Sequence, residues 1–195
     1  EVARSIFGMD PYDAGRIIID GQEKKFHSIR DAIRGGVAMI TEDRGAYGFV
    51  GVRSIEDNIA LPNLDFLAAN GWLKHKEIEQ RSKDIFGKLR IKAPGIETAV
   101  GTLSGGNQQK VVLAKWLVRN VRLLILDEPE SNLDMKNQLQ VINTIERVAR
   151  EFHTSCLINT HFPDHALKIS DNTLMMGYGG REETGKTLDI VTEEN

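Results

Sequence analysis

The stretch GTLSGGNQQKVVLAKWL, residues 101–117, sets a serine and two glycines directly before an apolar run at helical spacing. A helix N-terminus presents N–H groups with no intrahelical acceptor and the positive end of the helix dipole. Glycines there let the backbone approach an anion closely, and Ser104 adds a hydroxyl. The stretch reads either as a loop built to touch a polyphosphate or as an ordinary serine N-cap. The helix is predicted over 105–119.

Working outward, LLILDE at 123–128 places Asp127 and Glu128 after four apolar residues. Residues 122–129 read as a central strand. In open α/β sheets ligands bind beyond the C-terminal ends of the strands. A carboxylate there can hold Mg²⁺, a hard cation that takes oxygen ligands. Its neighbour can orient or deprotonate a water. Taken alone, the same letters also describe a strand that ends in an acidic turn.

The flanks alternate strand and helix. RIIIDG (16–21) and VAMITED (37–43) read as strands, the second buried and ending in acids, with a short helix in SIRDAIRGG (28–36) between them. EVARSIFG (1–8) reads as the tail of a helix with Gly8 near its C-cap. Ser54 with Asp57 three residues on marks a helix start. Residues 75–91 and 135–151 are amphipathic helices. TSCLINTH (154–161) reads as another buried strand, FPDHALKIS (162–170) as a helix with Pro163 at its start, and NTLMMGYGG (172–180) as a strand and turn. This predicts an α/β sheet core, 1–52 and 120–195, with an inserted helical subdomain, 53–119.

At 195 residues and 41% hydrophobic composition the chain can bury one domain's core. A net charge of −3 gives no sign of a general nucleic-acid binder. Cys156 is the single cysteine, so there is no disulfide framework or cysteine-rich metal site. No apolar run approaches the length of a membrane span.

The order of these stretches resembles the ATP-binding-cassette ATPases, the phosphate-loop NTPases that drive ABC transporters. LSGGNQQK (103–110) is similar to their signature motif and LLILDEP (123–129) to their Walker B. SNLD (131–134) resembles their D-loop and INTH (158–161) their switch histidine. Four motifs in order are far more specific than one. The resemblance implies a head-to-tail pair of nucleotide-binding domains with ATP between them. Ser104, Gly105, Gly106 and Asn107 would then face the γ-phosphate of a nucleotide held by the partner domain. Asp127 would hold Mg²⁺, Glu128 would be the general base, His161 would contact the γ-phosphate, and Asp134 would lie at the dimer interface. Residues 1 to about 125 look closest to the second cassette of monosaccharide importers. Glu42 stands where most cassettes have a glutamine, so it is a second candidate metal ligand. The implied partners are membrane permease subunits, reached through the helical subdomain and the region of Glu42, at the cytoplasmic face of the cell membrane.

The sequence departs from the family in two places. GREETGKT (180–187) satisfies the phosphate-loop pattern in letters, yet it lies near the C-terminus, downstream of every other motif, and carries two glutamates that would repel phosphate. It reads as a hairpin turn before a last strand. The resemblance places the phosphate loop just before Glu1, so the fold is expected to be N-terminally truncated. From about Glu130 the tail looks more like cassettes of metal-chelate importers. The alternatives to a sugar-importer ATPase are an inert cassette fragment and a non-transport ABC ATPase.

Overall fold

The computed structural model describes residues 1–131, 133–176 and 182–191. The chain divides into two compact units, 1–158 and 159–195.

The first unit opens with α1 (Val2–Ile6) and a hairpin, β1 (Ile17–Ile19) and β2 (Gln22–Lys24). Asp20 and Gly21 link the two strands, both with positive φ, 52° and 73°. That is the two-residue turn whose twist matches a hairpin. Ser28 then caps α2 (Ile29–Arg34) by accepting from the Asp31 amide. β3 (Val37–Ile40) follows, buried at every position, and after it the short α3 (Arg44–Tyr47).

The middle of the chain is mostly helical. α4 (Ile55–Ala60) is capped by Ser54, whose hydroxyl accepts from the Asp57 amide. A 3₁₀ turn over Leu61–Asn63 leads to α5 (Leu64–Leu67). A two-residue hairpin, β4 (Ala68–Ala69) and β5 (Trp72–Leu73), precedes α6 (His75–Lys88). A second 3₁₀ turn, Val100–Thr102, introduces α7 (Gly105–Leu117). Buried amides hold these helices together. Asn63 is fully buried and donates to the carbonyls of Ile59 and Lys115, while its oxygen accepts from Arg119 Nε. Asn58 ties residue 50 to the start of α4 by accepting from the Val50 amide and donating to the Val50 and Ser54 carbonyls.

β6 (Leu123–Asp127) lies at the centre of the sheet, order β3-β6-β7, and pairs in parallel with β3 in the register Val37↔Leu123 to Ile40↔Leu126. Its unbroken apolar run suits a strand covered on both faces. α8 (Met135–Phe152) packs beside α7 and turns its apolar stripe inward. β7 (Ser155–Asn159) departs from expectation. Cys156 and Ile158 are half-buried while Ser155, Leu157 and Asn159 are exposed. Among the described residues it is an edge strand covered on one face, so its burial alternates instead of running through.

In the second unit α9 (Pro163–Ile169) starts at Pro163, and the ring of Phe162 packs on that of His165 at 4.9 Å. β8 (Asn172–Met176) pairs antiparallel with β9 (Glu182–Lys186), and α10 (Thr187–Ile190) closes the segment. The turn expected after Met176 lies outside the described residues.

The fold corrects the reading of GREETGKT. Gly180 and Arg181 lie outside the described residues, but Glu182–Lys186 is itself a strand, in register from Asn172↔Lys186 to Met176↔Glu182. Gly185 and Lys186 are ladder residues, and the Thr187 amide and hydroxyl bond to the Asp171 carbonyl and the Thr173 hydroxyl. Among the described residues, the matching letters Gly185, Lys186 and Thr187 are used for sheet pairing and a short helical turn.

Candidate functional site

Parallel pairing of β3 and β6 decides which side chains meet. The register Ile40↔Leu126 makes both strands end on the same side of the sheet. Glu42, two residues past β3, and Asp127 with Glu128 therefore emerge at one edge. Glu42 is exposed, while Asp127 and Glu128 are half-buried.

Glu128 has φ +44°, a left-handed backbone at a non-glycine residue. Such a conformation costs on the order of 1–3 kcal/mol and persists where the surroundings impose it. Here Ser131 imposes it locally. Its amide donates to the Glu128 carbonyl at 3.0 Å and its hydroxyl to Glu128 Oε2 at 2.8 Å. The carboxylate is thus aimed by its own turn.

α1 brings Arg4 to this region, a residue to which sequence reading assigned nothing. Arg4 pairs with Asp10 through Nε at 2.6 Å and Nη2 at 3.0 Å. Its guanidinium is held above its ordinary value, first by that hydrogen bond and more weakly by the charge of Asp127. Its only sequence context is a helix tail, which carries no signal for such a role.

At the start of α7, Ser104 does not act as a side-chain cap. Its hydroxyl accepts from Asn107 Nδ2 at 2.9 Å, and Asn107 Oδ1 accepts from the Lys92 amide at 2.8 Å. Asn107 therefore moors the loop to the segment after α6. The first-turn amides of Gly105 and Gly106 have no intrahelical acceptor. Gly106 has a packing duty beyond the one expected. A Cβ there would lie 3.1 Å from Asn137 Oδ1 on α8, so its bareness lets the two helix starts meet.

Asp134 is the N-cap of α8 and accepts from the Asn137 amide at 3.0 Å. The Asn137 amide, then its side chain, holds the Asp134 carboxyl below the usual range. Asn132, in the same motif, lies outside the described residues. His161 is exposed two residues beyond β7 and falls in the second unit, whereas the carboxylates fall in the first.

The donor set suits a hard cation only with help. Among the described residues no three His, Cys, Asp or Glu side chains converge closely enough to hold an ion. One or two carboxylates are what Mg²⁺ usually takes from a protein when phosphate oxygens and water supply the rest.

Comparison with known proteins shows what the chain as a whole is similar to. The family model described as ABC transporter matches residues 1–131. A putative ribose/galactose/methyl galactoside import ATP-binding protein of Rhizobium etli is 40% identical over 196 residues, covering 100% of this chain and 37% of that protein. A ribose import ATP-binding protein of Bacillus cereus is 41% identical over 179 residues, 92% of this chain and 36% of that one. The chain thus spans little more than a third of the curated relatives it matches. Among solved structures, cbiO1 of Clostridium perfringens, part of the transporter complex cbiONQ, superposes with a TM-score of 0.80 at 22% identity, over 99% of this chain and 74% of that one. A dimeric ATP-binding cassette in a post-hydrolysis state with ADP and Pi gives 0.73 at 17% identity, over 95% and 79%. A metal-chelate type transporter gives 0.71 at 22%, over 82% of this chain and 62% of that one. At these identities the likeness is one of fold. The likeness to a metal-chelate type transporter is thus one of fold over 82% of this chain, while the Rhizobium etli alignment runs through the whole chain.

Proposed function

This chain belongs to the ABC transporter family, and from that premise we propose that it is the ATP-binding and ATP-hydrolysing part of an importer for ribose- or galactose-class sugars. The observation that carries the proposal is the paired Asp127–Glu128 at the C-terminal end of central strand β6, beside the end of β3, in a chain 40% identical along its length to a sugar-import ATP-binding protein.

In this reading Asp127 and Glu42 would hold Mg²⁺ together with nucleotide phosphates, and the ion would supply charge neutralisation at the transferring phosphoryl group. Glu128, aimed by Ser131, accepts a proton from the attacking water. Ser104, Gly105, Gly106 and Asn107 offer α7's first-turn amides and polar side chains to the γ-phosphate of a nucleotide on a paired cassette. His161 contacts the γ-phosphate of a bound nucleotide, and Asp134 lies at the cassette–cassette interface. The helical stretch 53–119 and the region of Glu42 face the permease. No helix among the described residues is long and apolar enough to cross a membrane, so permease subunits would supply the span at the cytoplasmic face of the cell membrane.

The test is Mg-ATP binding and phosphate release by the purified chain, alone and mixed with a second cassette, with Glu128→Gln alongside. Nucleotide binding should survive the substitution while turnover falls by about 10²–10⁴, the range of a lost general base. Turnover at the wild-type rate in Glu128→Gln would refute it.

A further inference from the structure

At the other end of the sheet lies a concavity of about 350 Å³ that the reading above does not use. Lys24 of β2, Arg34 at the end of α2 and Arg122 just before β6 line it, with the amide side chains of Gln22 and Asn120, and no carboxylate is among its lining residues. β6 runs from Leu123 beside this concavity to Asp127, so at about 3.3 Å per residue the two sites stand roughly 13 Å apart along the strand.

The floor is built for it. Gly36 has φ +83°, and a Cβ there would lie 3.3 Å from Arg122 Cγ. Its carbonyl accepts from the amides of Arg122 at 2.8 Å and Leu123 at 3.2 Å. A bare, left-handed residue thus lets the Arg122 stem lie across the backbone, fixed to the first rung of β6.

The charge is not that of the chain as a whole, which is −3. Arg122 is paired with Asp20. Lys24 donates to Gln22 Oε1 at 2.9 Å, and among the described residues neither Lys24 nor Arg34 has a carboxylate partner. The Arg34 charge reaches Arg119, whose guanidinium is held below its ordinary value first by burial and then by Arg34. Two positive charges therefore remain uncompensated across a concavity of small-ligand size, beside two amides able to bond hydroxyls.

We propose that this concavity is a second binding site, separate from the nucleotide-handling edge, that takes a small phosphate monoester. The dianion matches the two free charges. Guanidinium and ammonium donors make the charge-assisted bonds that phosphate oxygens accept. The organic part lies against Gln22 and Asn120.

The test is calorimetric titration of the nucleotide-free chain with glucose 6-phosphate at low ionic strength. One site per chain is expected, with glucose giving no heat and inorganic phosphate displacing the ester. Lys24→Gln and Arg34→Gln should each weaken binding at least about fivefold, and Arg34→Lys should restore most of it. Arg34 is exposed and Lys24 half-buried at the end of a three-residue strand, and circular dichroism checks that the variants fold. Glu128→Gln should leave this binding unchanged while abolishing hydrolysis, which separates failure of this site from failure of the ATPase assignment. Glucose binding as well as its phosphate, a failure of inorganic phosphate to displace the ester, or affinity unmoved by both glutamine variants would overturn the proposal.

Discussion

Lys115 offers a test of the interior that needs no ligand. It sits in α7, largely buried, with its ammonium donating to the Gly48 carbonyl and lying 5.4 Å from the Trp116 ring. Among the described residues no carboxylate pairs with it, and burial alone pushes its pKa down to about 8 from 10.5. Folded protein therefore gives up this proton first. Between about pH 8 and pH 10.5 the unfolded chain binds more protons, so this residue's contribution to stability rises with pH and is lost as pH falls through 8. The gap corresponds to about 3 kcal/mol. Cys156 drifts the other way. Burial pushes its thiol up to about 11 from 9.0, so stability falls between those values. Comparison with Lys115→Met cancels that drift, because both chains carry Cys156. At pH 7 the variant loses one hydrogen bond worth about 1 kcal/mol but no longer buries a charge, so it should be at least as stable as wild type. Urea unfolding followed by the fluorescence of buried Trp116 at a series of pH values should show wild type gaining about 3 kcal/mol on the variant by pH 10.5. A difference that stays flat within about 0.5 kcal/mol would refute the reasoning.

Two further outcomes follow from buried groups. Asn63→Ala strips donors from the Ile59 and Lys115 carbonyls and an acceptor from Arg119, and urea unfolding should show a loss of about 2–4 kcal/mol. With its thiol near 11, Cys156 should react with a disulfide reagent at pH 8 about 100-fold more slowly in the folded chain than in urea.

The parts legible in the sequence are those where one local pattern and the tertiary environment ask for the same residues. LLIL before Asp127 is unbroken because β6 is covered on both faces, and Ser54 announces a helix that it does cap. What stayed hidden depends on partners far along the chain. β2 is Gln-Glu-Lys, with no apolar alternation, and only the Asp20–Gly21 turn betrays it. Asn58, Asn63 and Lys115 look like surface residues, because nothing local says that α4 and α7 will close over them. The Lys24, Arg34 and Arg122 concavity joins residues up to 98 positions apart through the β1–β2 hairpin, α2 and the start of β6. At the edge of the candidate site the carboxylates could be read, but the left-handed turn that aims Glu128 could not.

The base of the helical stretch carries a consequence for how such a chain can change. Ser54 bridges Ala99, the Ile55 and Glu56 amides donate to the Thr98 and Ile96 carbonyls, and the Val100 and Gly101 amides donate to those of Arg53 and Gly51. The two threads that leave and re-enter the sheet layer are stitched side by side. Between the threads, Asn63 and the packing of α4 and α6 on α7 hold the helical stretch in place, while the tip of the β4–β5 hairpin, Ala69 to Leu73, is exposed. Closure is set at the neck and its entropy grows only slowly with length, so that hairpin tip can be lengthened or exchanged without asking β3 or β6 to move, which makes it a natural graft point for new partner specificity.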